Sequence, residues 1–477
     1  MCGSIASRWR ALSGENNWEG LLEPLDPDLR RYIIHYCQMT AAIKDLFNKK
    51  KKEADATEND FFTKACLVKG NPYKYVVDRF IYAGTGVVRS SWFGYVAVST
   101  DEGKRALGRR DILIAWRGTM TKWELLNDCL IKHTSGIDIF PTAKEHGAKL
   151  HRGFHSVYTG TRTRCKTSAR QQVLVAVEEL LNKYENEETS ITVTGFSLGA
   201  ALATLTAMDI VANGYNKPTT GNKPCMVTAF TYGGPHIGNA NLKNIFVTLG
   251  KHLHLLRIKN KKDPVTKLLP GSKTYFGNIL VVDSSKSNYL KGLISPPTPS
   301  MKSMGSFFLS CINGVGTKRK RSHSRIVPLD DELKATRISE DEDEDESQPT
   351  PDESNRKHKR KRSIPEILFS AHSMDLYMHG VAIQDIKNNT HKLDHDIALV
   401  NKHSDRLKNE YKIPSNWWFG KNRKKNGSNG ERSLESSKVA NVSINHLLLC
   451  VFRQGKVCKW LLDCAVIIFR VKYSNGH

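Results

Sequence analysis

None of the ten cysteines forms a C-x-x-C pair, and no Cys/His group has zinc-site spacing. A chain of 477 residues can bury a core without disulfides, so the thiols are expected to be reduced and mostly buried, which points to a cytoplasmic compartment. The opening segment MCGSIASRWRALSGENNWEGLL lacks the apolar stretch of a secretory signal, and Glu15 and Glu19 come too early for a transit peptide. Cys2 stands where myristoylation needs glycine. Nowhere does the chain reach the roughly 18 consecutive apolar residues of a spanning helix, and it has no internal repeat. What it has in excess is positive charge, with 72 Lys and Arg against 48 Asp and Glu, a formal net charge of +24. Such a balance favours anionic partners, nucleic acid or a phospholipid surface, and charge alone does not choose between them.

Hydrophobic periodicity orders the chain. Residues 29–48 (LRRYIIHYCQMTAAIKDLFN) read as an amphipathic helix running into the lysines at 49–52. Two β runs follow, Trp92–Ser99 and Asp111–Trp116, joined by the polar DEGKRALGRR. Residues 168–184 have helical spacing in Val173, Leu174, Val177, Leu180, Leu181 and Tyr184, with Ser168 and Gln171 as a capping box. Next come a β run at Ile191–Thr194, a Gly-x-Ser-x-Gly turn and a small-residue helix at Ala200–Ala212. Further β runs are Val227–Tyr232, His252–Ile258 and Asn278–Val282. Strands alternating with helices predict an α/β fold with a mainly parallel sheet covered on both faces. Two basic clusters, KRKRSHSR and RKHKRKR, flank the acidic run EDEDEDE, and such a composition cannot bury a core. The expectation is one α/β domain over 1–310 and 366–418, a disordered charged insertion at 311–365, and a divergent tail at 419–477.

The chemical signal lies in ITVTGFSLGAALATLTA. A strand that turns sharply into a helix with serine at the apex lifts Oγ of Ser197 toward a substrate, and Gly195 and Gly199 flank it because a Cβ would collide there. Serine needs a base, and the base needs an orienting carboxylate. In an α/β-hydrolase the order is Ser, then acid, then His. Asp263 sits just past the run HLHLLRI, where the acid is expected. His372 and His379 are candidate bases in SAHSMDLYMHGVA, seven apart and able to face one side of a helix; spacing does not choose between them. His252 and His254 read as strand residues, and His391 and His395 as loop residues. The oxyanion donors are expected at the Leu198 N–H, directly after the nucleophile, and at Thr119, after the run ILIAWRG. No metal or other cofactor is required.

These residues carry a family resemblance. The segments SRWRALSGENNWEGLLEPLDPDLRRYIIHY, KGNPYKYVVDRFIYA, WFGYVAVSTDEGKRALGRRDILIAWRGT, LHRGFHSVYT, ITVTGFSLGAALATLTAMDIVANG, VTAFTYGGPHIGN, LRIKNKKDPV, HSMDLYMHGVA and DIALVNK occur in one order from about Ser7 to Trp417. Together they resemble the plant class 3 lipases, in particular the cytosolic class II phospholipase A1 group. The resemblance implies an α/β-hydrolase fold and hydrolysis of the sn-1 ester of phosphatidylcholine-like lipids. It makes Ser197 the nucleophile, Asp263 the acid and His372 the base, with Thr119 and Leu198 at the oxyanion hole and a lid over 120–141. With a lipid substrate, peripheral contact with an anionic membrane surface is expected and a nucleic-acid partner is not.

The chain also departs from the family pattern. Phe196 stands where the family has His, His236 where it has Arg, and Lys261-Lys262 where it has an apolar residue and Pro. The charged insertion between Asp263 and His372 must loop out without moving His372. The same triad would also serve a broader lipase or a galactolipid acyl-hydrolase, and a non-catalytic scaffold is the reading from a different class.

Overall fold

Seven runs rich in Val, Ile, Leu and aromatic side chains form the central sheet: β1 (Tyr75–Thr85), β2 (Arg89–Ser99), β3 (Arg110–Trp116), β4 (Thr189–Phe196), β5 (Met226–Tyr232), β6 (Leu253–Asn260) and β7 (Asn278–Val282). Their spatial order is β7-β6-β5-β4-β3-β2-β1, the order of the chain itself. The pairs from β3 to β7 are parallel, while β1, β2 and β3 are antiparallel neighbours. The computed structural model describes residues 3–85, 89–119, 133–161, 166–220, 223–267, 276–291, 371–384, 399–411 and 413–416. All of these fall in the unit Met1–Leu293 with Phe369–His477. The insertion expected at 311–365, the tail at 419–477, His391, His395 and residues 120–132 of the expected lid lie outside the described residues.

Parallel strands bury both faces, and alternation assigns each residue to one. Ile112, Ile114, Ile191, Val193, Val227 and Ala229 face α3 (Ala169–Lys183) and α4 (Leu198–Ala212). Leu113, Ala115, Phe230, Tyr232, Leu256 and Ile258 face the other layer, formed by α1 (Gly3–Leu12), α2 (Pro27–Asp45) and α5 (Met374–Ala382). On that face β4 is polar instead, carrying Ser190, Thr192 and Thr194. The reason is a buried knot at the N-terminal end of β3 and β4. Asp111 accepts from Ser190 and Thr192 at 2.7 Å each, from Tyr36 at 2.8 Å and from Tyr75 at 2.6 Å, and it pairs with the fully buried Arg109 at 3.2 Å. A buried ion pair survives loss of water only when its remaining groups are hydrogen-bonded, and here they are.

Two details go beyond the sequence reading. The helix expected over 29–48 spans Pro27–Asp45: Asp26 caps it by accepting from the Asp28 and Leu29 N–H groups, and Pro27 suits its first turn. It stops early because Phe47–Asn48 pairs with Glu53–Ala54 in a short hairpin that carries the lysines. The polar linker DEGKRALGRR, given no element from its sequence, contains one. Asp101–Leu107 is a helix, capped at its start by Thr100 and ended at Gly108 in the left-handed region (φ 80°).

Candidate active site

The C-terminal ends of parallel strands in an open α/β sheet leave a crevice where ligands bind, and the residues expected to act gather there. β4 ends at Phe196 and α4 begins at Leu198, so Ser197 is the whole turn, at φ 56° and ψ −119°. A non-glycine residue in that region costs about 1–3 kcal/mol and persists only where its surroundings fix it. The surroundings here are one hydrogen bond and a tight crossing of backbone. The Ser197 N–H donates to the Tyr232 carbonyl at 2.9 Å. A Cβ on Gly195 would lie 2.1 Å from the Gly199 carbonyl oxygen, and one on Gly199 would lie 2.4 Å from that of Trp116. Only glycine allows this close crossing of strand and helix.

The turn after β3 reaches the same place. A Cβ on Gly118 would lie 3.1 Å from the Phe196 carbonyl oxygen and 3.4 Å from Cβ of Ser197. Arg117 pins the turn through backbone and side-chain oxygens: it donates to the Trp92 carbonyl at 2.6 Å, the Gly118 carbonyl at 3.0 Å and Ser91 Oγ at 3.0 Å. Its guanidinium lies 3.9 Å from the Phe93 ring centroid, and burial lowers its pKa to about 10. Thr119 follows, with its hydroxyl buried and without a hydrogen-bond partner among the described residues. Leu198 opens α4, and the first N–H groups of a helix have no acceptor within it. The turn after β3 and the first turn of α4 therefore lie on either side of Ser197.

Asp263 lies just past β6, fully buried. Its Oδ1 accepts the Val265 N–H at 2.9 Å. Its Oδ2 is met by Nδ1 of His372 at 2.7 Å, across 109 residues of sequence, and by the hydroxyl of Tyr377 at 2.6 Å. Gly233, at φ 60°, is the close neighbour of this group: a Cβ there would lie 2.9 Å from the Tyr377 oxygen and 3.1 Å from Oδ2 of Asp263. Burial first, and then the charge of Asp263, push the Tyr377 pKa well above its ordinary value, so its proton stays on. Asn260 anchors the returning chain, donating to Ser284 Oγ at 2.9 Å and to the Ala371 carbonyl at 3.5 Å, one residue before His372.

His372 and His379 do not share a helix face. His372 precedes α5, while His379 lies within it, with Nε2 2.6 Å from Ser287 Oγ and a pKa lowered by burial to about 4. His236 is buried; burial, then the charges of Arg257 and Lys259 on β6, lower its pKa to about 4. Sequence reasoning did not single out Tyr377, Asn260 or Gly233. Tyr377 had a visible signal as a hydroxyl on the apolar helix directly after a candidate base. Among the described residues, no three His, Cys, Asp or Glu side chains are grouped to hold a metal ion, and no helix is long and apolar enough to cross a membrane.

Comparison with known proteins follows the same lines. The model of the class 3 lipase family matches residues 113–273. Phospholipase A1-II 1 of Oryza sativa subsp. indica is 36% identical over 448 residues, covering 88% of this chain and 93% of that protein. Phospholipase A1-IIgamma of Arabidopsis thaliana is 41% identical over 314 residues, covering 60% and 74% respectively. Among solved structures, the triacylglyceride lipase of Rhizomucor miehei aligns at a TM-score of 0.38 with 18% identity, covering 53% of this chain and 79% of that one.

Proposed function

The chain belongs to the phospholipase A1-II family of class 3 lipases, with an α/β-hydrolase fold, and is a carboxylic ester hydrolase; on that premise we propose that it cleaves the sn-1 ester of phospholipids with Ser197, His372 and Asp263 as its triad. The observation that carries the residue assignment is the 2.7 Å contact between His372 Nδ1 and the buried Asp263, beside a serine held at φ 56°. The carboxylate fixes the tautomer with the proton on Nδ1, which leaves Nε2 as the base. Nε2 takes the proton of Ser197, and Oγ bonds to the acyl carbonyl carbon. The carbonyl π pair moves onto oxygen, held by the Leu198 and Thr119 N–H groups. The tetrahedral centre collapses, the C–O bond to the glycerol breaks, and His372 returns its proton to the departing lysophospholipid. Water then enters by the same route: His372 takes its proton, hydroxide attacks the acyl carbon, and Ser197 leaves with the proton restored and the fatty acid free.

We place the enzyme in the cytoplasm, where the free thiols of Cys37, Cys66 and Cys225 suit a reducing environment. Peripheral contact with anionic lipid is supported by the net charge of +24 and by the exposed Lys261 and Lys262 next to Asp263. Each basic residue near such a surface contributes about 1 kcal/mol. The test is a panel of phosphatidylcholine, anionic phospholipid, galactolipid and triacylglycerol, presented to wild type and to Ser197→Ala with product regiochemistry identified. Wild type should release the sn-1 fatty acid and turn over anionic vesicles faster at low salt than at high salt. Ser197→Ala should lose nearly all activity while folded. Persistent turnover in that variant overturns the nucleophile, and a preference for another lipid class overturns the substrate.

A further inference from the structure

One hydrogen bond fixes a point on an imidazole and leaves the ring free to swing about that bond. A base that must present Nε2 to a serine in one direction needs a second constraint out of line with the first. Here a stacked aromatic ring supplies one. The Phe196 ring lies 4.6 Å from the His372 ring with 25° between planes, a stacked contact. The Tyr377 ring meets Phe196 edge-on at 5.8 Å and 74°, and the Tyr377 hydroxyl ends on Oδ2 of Asp263, the oxygen that also meets His372. The four side chains therefore close a circuit, Phe196 to His372 to Asp263 to Tyr377 and back, in which each touches two others.

We propose that Phe196 is a positioning residue that sets the plane of the His372 imidazole, braced from behind by Tyr377. This rests on the reading of His372 as the base. Phe196 is the last residue of β4 and Ser197 is the next, so one junction of strand and turn fixes both the nucleophile and the orientation of its base. The neighbouring turn is shaped around it: a Cβ on Gly118 would lie 3.2 Å from Cδ1 of Phe196. An apolar ring at this place orients the imidazole without supplying or accepting a proton. The titratable groups in the circuit are then His372, Asp263 and Tyr377 alone.

Phe196→Leu, Phe196→Tyr and Phe196→His in the full chain test this with a short-chain p-nitrophenyl ester, across pH, alongside thermal melting. Leucine keeps apolar bulk and loses the flat face, so kcat should fall about 10- to 100-fold with KM within about twofold of wild type. Tyrosine keeps the face and should hold kcat within about threefold of wild type. Histidine keeps the face but sets a second titrating ring against His372, so the acid limb of kcat/KM should steepen from one proton toward two. Wild-type kcat in Phe196→Leu overturns the proposal, as does an unchanged acid limb in Phe196→His. Should the leucine variant fail to fold, the histidine profile decides. If Ser197→Ala is inactive while Phe196→Leu is unimpaired, the brace alone falls; if Ser197→Ala is active, the reading of the site falls instead.

Discussion

On the proposed triad, two histidines seven residues apart differ at the scale of a side chain in the partner each one meets. His372 faces a buried carboxylate; His379 faces a serine hydroxyl, and burial holds its pKa near 4. A base needs a partner that stabilises its protonated form, and Ser287 carries no charge to do so. His379→Ala should therefore cost stability, about 1–3 kcal/mol for a buried hydrogen bond broken and a cavity left, yet leave turnover per folded molecule unchanged. His372→Ala should also cost stability, because it takes a hydrogen bond from the buried Asp263, but it should lose activity by about three orders of magnitude. Urea unfolding and initial rates on both variants check the pair, and equal losses of turnover would erase the distinction.

At the scale of elements, the question is how α5 finds its place after the long excursion from β7. The answer lies in the sheet. Asn260 ends β6 with its side chain turned into the core, where it ties Ser284 and the Ala371 carbonyl together. Asn260→Ala should destabilise by about 1–3 kcal/mol, because it leaves buried groups unsatisfied. It should also lower kcat several-fold, because the residue before His372 loses its tether; a variant destabilised with kcat intact would separate the tether from catalysis. This kind of contact was not legible in the sequence. Periodicity and turn chemistry exposed α3 with its Ser168 capping box, the serine turn and the parallel strands, since each is written in local spacing. β1 escaped as a strand: in YVVDRFIYAGT the apolar residues do not alternate cleanly, and its pairing with β2 carries register shifts at Val77/Arg79 and Ile81/Tyr82. The polar knot around Asp111 escaped because Tyr36, Tyr75, Arg109 and Thr192 come from four separate stretches of the chain. Asp263 and His372 were singled out only through the fixed order of the motif and the family resemblance, and Phe196 was visible as a departure from the family but not as a stacking partner.

For the whole molecule, the buried histidines set a limit on acid stability. Burial, with Asp111 opposing and Arg109 adding, lowers the His35 pKa to about 3; burial lowers His379 to about 4, and burial with Arg257 and Lys259 takes His236 to about 4. An unfolded histidine titrates near 6.5, so from about pH 6.5 down to about 4 the unfolded chain binds protons that the folded chain refuses. The sign follows: these groups leave stability intact above about pH 6.5 and remove it as pH falls toward the folded values. Asp375 works the other way. Burial raises its pKa against the pull of Lys44, His403 and Lys402, so its contribution is present at low pH and offsets up to one proton. Asp45 resists burial through His403 and Lys402, its net pKa is lowered, and its contribution is lost only below the carboxylate range. The balance near pH 5 is about two to three protons taken up on unfolding, a slope of about 3–4 kcal/mol per pH unit. Urea midpoints at pH 7, 6 and 5 should fall steadily, and His379→Gln should remove about one proton from the slope. Stability that stayed flat from pH 7 to pH 5 would mean that these histidines accept protons in the folded state, and that the core around them admits water.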